Sequence, residues 1–568
     1  MYVKVSTVRS GKKIYRYLTL AESYRNDQGQ PRHRVVARLG ELSEMTSSGE
    51  LERIVDALSA QLGRGASVEL TAESAPSYGA MAATDAVFSR LSLNELFDGV
   101  GGRRRSAGLS DSVFAMVANR LQDPGSKRRC VSDWLGADAA LPDRRSAPSL
   151  DRLYRALDAV ADAKHEIEGH CFTELCHLAN LDLRLVCYDL TSTYFEGNER
   201  ASARFPAKAF GYSRDHRGDR PQVVIGLLVT SDGIPIAHHV FTGNTADRST
   251  LPEVMADLQQ RFGVGRIALV ADRGLISEEN LALVEQNGFD HVVATRLHRD
   301  PTVAAVLEAA ADNDAVFVEV GDDGTRATEV THDGRRYVVV DSPKRHIRDD
   351  RRRTELLART EERLIALADR VRSGRLVDPA KIGAAADRIL RDSGVGRCFT
   401  TKIAHGVFTW DYDEEAMDYE ETLLAGRYVI TTSLDEKTAS TAKVVAHYKS
   451  LQSVERRFRV LKDFLALRPV FHYTEKRVRG HVAICVLAAV LEAVITLDLA
   501  RVKLTDPDLE GQPLTARRAL RELERVRMIR FSDANGDERQ VITRPTPFQA
   551  KILAALGVDT AAWRSRVA

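Results

Sequence analysis

Cysteine is scarce in this sequence, and no apolar run is long enough to span a bilayer. The 568 residues include six cysteines at irregular spacing, which argues against a disulfide framework and favours a reducing compartment. The longest apolar run, at residues 482–491, predicts a buried helix, and the opening MYVKVSTVRSGKK has no apolar signal core. We therefore expect a soluble intracellular protein.

The sequence also lacks net charge, with 81 Lys and Arg against 80 Asp and Glu. The total argues neither for nor against nucleic acid, so the local distribution has to decide. Residues 1–40 and 448–481 each carry nine Lys or Arg, against two and three acidic residues. Such segregation is expected of patches that contact phosphates, although a solvated surface is the default interpretation for either patch alone.

Several common catalytic signatures are missing as well. We find no Ser-His-Asp order, no P-loop and no dinucleotide-binding glycine pattern. Cys171 and Cys176 superficially resemble part of a zinc cluster, but residues five apart on a predicted helix point in different directions. No such signature therefore competes with acidic residues as the candidate catalytic groups.

The first 180 residues predict two regions that could contact DNA. Residues 1–64 read as a basic β-hairpin with a turn at NDQGQP, followed by a helix at 49–63. Residues 80–180 predict an all-helical region, in which a DPG break separates two helices. The alternatives are an ordinary small sheet and an ordinary pair of helices.

From residue 181 the pattern changes to α/β, with apolar strands alternating with helices. The predicted divisions are the first part of an α/β core at 181–297, an insertion at 298–426, the last strand and the Glu-bearing helices at 427–500, and a C-terminal region at 501–568.

A single amphipathic helix is predicted for residues 443–467. Its apolar residues recur at three- and four-residue steps, at Val444, Tyr448, Leu451, Val454, Phe458, Leu461 and Leu465. Tyr448, Glu455 and Lys462 are seven apart, so at roughly 100° per residue they share this face. The pattern therefore places Glu455 in the buried stripe, where a carboxylate needs a cation or a metal. A Glu beside Lys462 or turned toward water is the alternative.

Two further acids stand on predicted strands. Asp189 lies within LRLVCYDLTSTYF, and Asp272 lies near the carboxyl end of RIALVADRG. In an α/β layer we expect the Glu455 helix to pack near both strands. Three converging carboxylates suit Mg²⁺, and two such ions can activate a nucleophile and stabilise a leaving oxygen at phosphorus. Taken singly, Asp189 could be a surface acid and Asp272 a turn-forming one.

These motifs resemble those of bacterial insertion-sequence transposases of the DDE class. The resemblance is to the subgroup whose third acid lies in a Tyr-x2-Arg-x3-Glu-x6-Lys signature, which Tyr448, Glu455 and Lys462 match, while Leu451 stands at the Arg position. YDLTSTYFEG and ADRGLIS resemble the surroundings of the first two acids. The stretches GYSRDHRGDRPQVVIGLLVTSDGIPIAHHVFTGNT and RPVFHYTEKRVRGH are also similar, and the resemblance covers about residues 1–500.

The resemblance implies an α/β fold with a ribonuclease-H-like mixed sheet and a β-rich and helical insertion before the last catalytic helix. Asp189, Asp272 and Glu455 would hold two Mg²⁺ ions, for which Mn²⁺ substitutes. The phosphate contact usually assigned to the missing Arg is either absent here or made by Arg456 or Arg459. The candidate DNA-binding residues are Tyr448, Lys462, Arg456, Arg459, Arg214, His216 and Arg217. The last three belong to the polar loop GYSRDHRGD, for which a solvated loop without DNA contacts is an equal alternative.

The implied reaction is cleavage of double-stranded DNA at the terminal inverted repeats of an element, followed by attack of the freed 3′-hydroxyl on target DNA. The resemblance also implies a homodimer on paired ends, a bacterial cytoplasm and association with the nucleoid. Two alternatives remain open. The large N-terminal region argues against a plain ribonuclease-H-like nuclease, and the presence of all three acids argues against a catalytically silent DNA-binding descendant of a transposase.

Overall fold

The computed structural model describes residues 2–10, 13–26, 28, 30–51, 53–55, 71–100, 108–179, 184–196, 205–262, 267–272, 274–275, 277–295, 301–312, 316–532 and 538–564. The chain forms two compact units. We call them the terminal unit, Met1–Leu181 with Leu190–Thr245 and Ser453–Ala568, and the central unit, Asp182–Asp189 with Ala246–Gln452.

The strands are β1 Tyr2–Ser10, β2 Lys13–Arg25, β3 Pro31–Glu41, β4 Thr71–Ser74, β5 Leu185–Tyr194, β6 Gln222–Thr230, β7 Pro235–Thr242, β8 Ala268–Ala271, β9 Asp290–Ala294, β10 Val318–Glu319, β11 Arg326–His332, β12 Arg335–Asp341, β13 Phe399–Ala404, β14 Val407–Tyr412, β15 Arg427–Thr432, β16 Met528–Ser532 and β17 Glu538–Ile542. The α-helices are α1 Leu42–Ser47, α2 Gly79–Arg90, α3 Leu93–Gly99, α4 Leu109–Gln122, α5 Lys127–Arg129, α6 Leu150–Asp162, α7 Lys164–Ala179, α8 Leu251–Phe262, α9 Glu278–Gln286, α10 Pro301–Asp312, α11 Pro343–Arg372, α12 Pro379–Ser393, α13 Glu414–Tyr419, α14 Thr441–Lys449, α15 Leu451–Arg459, α16 Glu475–Arg501, α17 Ala516–Leu523, α18 Pro547–Ala555 and α19 Ala561–Arg564.

The terminal unit begins with a three-stranded antiparallel sheet in the order β1-β2-β3. The β2–β3 hairpin turns where NDQGQP predicts it, and the Asn26 side chain accepts the backbone N–H groups of Gln28 and Gln30 there. Strand β1 adds a strand that the prediction of a simple hairpin did not include. Most of the helix predicted at 49–63 lies outside the described residues.

Helices α2, α4 and α6 pack against α16 in the terminal unit. Helix α16 is long and apolar enough to cross a membrane, but 83% of its most apolar stretch is buried inside the protein, as in a core helix. Gly480 lets α6 approach, because a Cβ there would overlap the carbonyl oxygen of Leu157. The buried helix predicted at 482–491 is therefore confirmed. All six cysteines are free.

The residues of strand β5 are divided between the two units after Asp189. In the central unit its first half pairs in parallel with β8, and β8 pairs in parallel with β9. In the terminal unit its second half is followed by β6 and β7, which are antiparallel. An antiparallel pair on one side and parallel strands on the other form the mixed, ribonuclease-H-like sheet that the sequence predicts.

The central unit extends its sheet beyond β9 with antiparallel strands in the order β15-β12-β11-β10. Strands β10 to β12 thus belong to the sheet although the sequence places them in the insertion. The rest of the insertion is mainly helical. Helices α11 and α12 cover the β13–β14 hairpin through a core that includes Leu364, Leu367, Ile382 and Phe408, so the insertion contains both strands and helices.

Residues 443–467 do not form one helix. Helix α14 ends at Lys449, α15 begins at Leu451, and a π-helical segment occupies Val460–Phe464. The break and the wider π turn change the direction of successive side chains. The prediction of a single regular helix over residues 443–467 is therefore wrong.

Candidate functional site

Asp189 and Asp272 occupy matching positions on neighbouring strands of the central unit. Tyr188 of β5 is the register partner of Ala271 at the end of β8, and each acid is the next residue along its chain. Parallel strands lie about 5 Å apart with their pleats in phase, so Asp189, within β5, and Asp272, just after β8, lie side by side. Both are half-buried. The structure therefore pairs two of the three predicted catalytic acids.

Asp247 is a third acid of the central unit beside this pair, and the sequence analysis did not identify it. The position that a Cβ would take at Gly274 lies 3.8 Å from Asp247 Oδ2 and 4.0 Å from Asp272 Oδ2. Tyr188 and Thr250 fix the turn at Asp247, because the Tyr188 hydroxyl donates to Thr250 Oγ1 (2.9 Å), which donates to the carbonyl of Asp247 (2.7 Å). The sequence pattern that could have identified Asp247 is an acidic residue in the polar turn that follows the buried strand β7.

The carboxylates of the central unit suit a hard cation. Burial raises the pKa of the Tyr188 hydroxyl, and the negative charges of Asp189 and Asp247 add to that shift. Mg²⁺ binds proteins through one or two carboxylates and keeps water or phosphate oxygens as its other ligands. Within the described ranges no group of three or more His, Cys, Asp or Glu side chains is arranged to hold a metal. The Asp189–Asp272 pair nevertheless fits the carboxylate share of a magnesium site.

Glu455 lies on α15 in the terminal unit, and its side chain is exposed. The prediction that Glu455 belongs to the buried stripe is therefore wrong. Helix α15 buries Val454 and Phe458 instead, and turning the carboxylate outward avoids the cost of an unpaired buried charge. The part of the chain that the structure describes offers Glu455 no hydrogen bond or ion pair, so its carboxylate is available to a ligand.

Arg457 anchors α15 inside the terminal unit. Its guanidinium pairs with Glu492 of α16 and donates to the carbonyl oxygens of Gly233 (2.8 Å) and Ala489 (3.2 Å). Both charged side chains are about nine-tenths buried. The sequence did not single out Arg457, because nothing in the string distinguishes it from its exposed neighbours Arg456 and Arg459.

Lys462 lies on the π-helical segment and is largely buried. Its Nζ is 2.7 Å from Asp215 Oδ1, and Arg468 pairs with the same oxygen. Burial lowers the pKa of Lys462, and the ion pair with Asp215 opposes that shift. The predicted phosphate contact therefore sits in an ion-paired cluster of the terminal unit. Tyr448, in the central unit, packs its ring 5.6 Å from that of Tyr428.

The family model for the transposase DDE domain matches residues 181–491, more than half of the chain. The chain belongs to the DDE transposases. A second model, the N-terminal domain of IS1634 family transposases, matches residues 3–70 of the transposase. These matches confirm the prediction of an insertion-sequence DDE transposase, an enzyme that cleaves DNA and transfers strands.

Among solved structures, the transposase is similar to a piggyBac transposase synaptic complex with hairpin DNA. The two chains share 11% identity with a TM-score of 0.34, over 86% of this chain and 82% of that one. A comparison with curated proteins gave no match.

The polar loop of the transposase carries three predicted DNA contacts in the terminal unit. The Arg214 backbone N–H donates to Ser192 Oγ (3.1 Å), which ties the loop to β5. His216 has a left-handed backbone with φ of 56°. Arg217 pairs with Asp219 (2.8 Å), which raises the pKa of the guanidinium, and its Cζ lies 4.9 Å from the centroid of the Tyr194 ring.

The N-terminal sheet of the transposase presents exposed cations. Leu18, Leu20 and Leu39 are buried in its hydrophobic core. The exposed basic residues are Lys4, Arg16, Arg25, Arg32, Arg34 and Arg38. These cations lie among exposed apolar side chains such as Val3 and Val35, and Arg34 pairs with Glu22 (2.5 Å), but together they offer the positive charge that phosphates require.

Proposed function

We propose that this transposase cleaves double-stranded DNA at the terminal inverted repeats of its insertion sequence and joins the 3′-hydroxyl ends to target DNA. The single observation that carries the proposal is the matching register of Asp189 and Asp272 on parallel strands. Adjacent carboxylates at the ends of paired segments are suited to a hard divalent cation rather than to proton transfer alone.

In this proposal Asp189, Asp272 and Glu455 are the metal-binding carboxylates. Two Mg²⁺ ions, or Mn²⁺ in their place, supply activation of the attacking hydroxyl and stabilisation of the leaving oxygen when bound. Asp189 and Asp272 hold their oxygens in fixed positions because β5 and β8 are paired up to the preceding residue. Glu455 is held by the burial of Val454 and Phe458 and by the Arg457 anchor.

The DNA-binding part of the proposal rests on exposed or paired cations. Arg456 and Arg459 are exposed on the same helix as Glu455, and Arg217 is partly exposed in the polar loop. The six exposed basic residues of the N-terminal sheet form a separate patch. Each phosphate contact releases counterions, so affinity should fall steeply with salt. We further propose a homodimer on paired element ends in the bacterial cytoplasm.

The test is cleavage of a DNA fragment that carries the inverted repeat flanking the gene, with Mg²⁺ or Mn²⁺. We expect the wild type to bind and to leave 3′-hydroxyl ends. Asp189→Asn, Asp272→Asn and Glu455→Gln should bind DNA with unchanged affinity and cleave it at least ~100-fold more slowly. Mutation of a residue that only hydrogen-bonds to a metal ligand already lowers activity about 10- to 100-fold, so loss of a ligand itself should have at least that effect. Glu510→Gln, which removes another exposed carboxylate of the terminal unit, is the matched control.

Each outcome separates the candidate functions. Binding without cleavage by the wild type would indicate a silent DNA-binding protein. Undiminished cleavage by Glu455→Gln would overturn the assignment of the third acid. Cleavage of any duplex irrespective of the repeat would favour a plain nuclease.

A further inference from the structure

Two cations of the terminal unit meet at one buried carboxylate. Lys462 and Arg468 both contact Oδ1 of Asp215, the former at 2.7 Å. The Asp215 side chain is only 5% exposed, against 12% for Lys462 and 27% for Arg468. Two positive charges and one negative charge leave the cluster with a net positive charge, which favours an anion beside it.

Asp215 is not bonded as a purely stabilising carboxylate would be. Its Oδ2 is buried and has no hydrogen-bond partner among the described residues. An unsatisfied carboxylate oxygen in the interior is costly, and each such group in a native protein calls for an explanation. Both ion pairs of the carboxylate are therefore made by Oδ1, with Lys462 and Arg468.

The loop that carries Asp215 is fixed from several sides. Gln222 Nε2 donates to the carbonyls of Tyr212 (2.9 Å) and Gly243 (2.8 Å), and Ser213 Oγ accepts the N–H groups of Asp215 and Arg217. A loop held in this way can place a carboxylate accurately, which a solvated surface loop does not do.

The chain segment that carries the cations is fixed independently. The buried Arg120 guanidinium donates to the carbonyls of Leu465 (3.2 Å) and Ala466 (3.0 Å), just after the π-helical segment. The N–H of Leu467 donates to the carbonyl of Leu461 (2.9 Å). Lys462 and Arg468 therefore reach Asp215 from a rigid turn.

We propose that Asp215 is a positioning residue of the transposition reaction, which holds Lys462 and Arg468 as a pair of cations for one phosphate of the bound DNA strand. The inference rests on the proposed function, in which Lys462 contacts a phosphate. Asp215 itself does not touch the DNA. It removes the rotational freedom of the two cations before the DNA arrives, and it keeps them together against their mutual repulsion.

This arrangement makes the charge of Lys462 depend on Asp215. Burial lowers the pKa of Lys462, Asp215 raises it, and the positive charges of Arg468 and Arg214 lower it further. Lys462 must be protonated to bind a phosphate, so activity should be lost on the alkaline side as Lys462 deprotonates. Without Asp215 that loss should occur at lower pH.

The test compares the pH profile of cleavage for wild type, Asp215→Asn and the double variant Asp215→Asn/Lys462→Arg. We expect Asp215→Asn to cleave about 10- to 100-fold more slowly near neutral pH, as for other positioning partners. Its alkaline limb should move to lower pH. In the double variant the guanidinium stays charged, so the shift of the limb should disappear. Asp215→Glu should restore part of the rate.

Asp232→Asn, at an exposed turn of the same unit, is the matched control and should behave as wild type. A merely structural role would lower the amount of folded protein without moving the alkaline limb, so a slower Asp215→Asn with an unmoved limb overturns the inference. An unchanged rate and profile overturns it as well. Failure of the wild type to cleave would instead refute the proposed function on which the inference depends.

Discussion

Replacing Arg457 by alanine should loosen helix α15 far more than replacing its neighbour Arg456. The Arg457 guanidinium pairs with the buried Glu492 and donates to two backbone carbonyls of the terminal unit. Its removal leaves the Glu492 carboxylate, 11% exposed, without its cation. Breaking a buried ion pair by removing one partner costs about 3–5 kcal/mol. Arg456 is exposed, so its removal should cost less than about 0.5 kcal/mol.

Hydrogen exchange measured by mass spectrometry is the suitable assay, because it reports opening of α15 without assuming that the two units unfold together. A loss of 3–5 kcal/mol corresponds to exchange that is faster by roughly 150- to 5,000-fold for the protected amides of α15. Arg457→Ala should also cleave DNA more slowly, since Glu455 is carried by the same helix. Arg456→Ala should weaken DNA binding while α15 exchanges as in the wild type.

The two neighbouring substitutions therefore act as controls for each other. Equal exchange in α15 for both variants would refute the conclusion that the buried pair holds this helix. Faster exchange in Arg456→Ala alone would mean that the helix presents the opposite face to the core.

Two further predictions concern the core of the terminal unit. Gly480→Ala should lower the free energy of unfolding by about 1–3 kcal/mol, because the added methyl group would overlap the Leu157 carbonyl. Gly169→Ala, in a helix with open space beside it, should raise the free energy of unfolding by up to about 1 kcal/mol. Equal melting temperatures of the two variants would contradict this packing. Burial lowers the pKa of Lys127 from 10.5 to about 7. Between these two pH values the unfolded chain binds a proton that the folded protein does not bind. The free energy of unfolding therefore falls as the pH drops from about 10.5 to about 7. Lys127→Met should remove this dependence of stability on pH. If the melting temperature changes equally in the wild type and in the variant between about pH 9.5 and about pH 7, Lys127 is not a buried neutral amine beside His481.

Local patterns were sufficient to locate the strands that carry the first two candidate catalytic acids. Asp189 and Asp272 were found because each follows a short apolar run, and such runs form buried strands whatever lies around them. Their pairing follows from one further fact, that β5 and β8 are neighbours in register. The buried helix α16 was predicted for the same reason, since a continuous apolar stretch has no other stable place in water.

The surroundings of the third acid were decided by tertiary structure. A helical period placed Glu455 in the buried stripe, and the helix is regular from Leu451 to Arg459, yet Glu455 is exposed while Val454 and Phe458 are buried. The period gives the direction of a side chain around the helix, but where the buried face ends depends on what packs against it. The breaks on either side of this helix were not predicted, because the stretch contains no proline or glycine.

The partners of charged residues were also invisible in the sequence. Asp215 and Lys462 are 247 positions apart along the chain, and no local sequence pattern connects residues at that distance. Arg457 pairs with Glu492 only when α15 packs on α16. The sequence by itself determined which apolar runs form buried strands and the buried helix α16, which acidic residues stand on or beside those strands, and the family. Only the tertiary structure decided which charges are buried, because burial and ion pairing depend on what the rest of the chain brings to the same place.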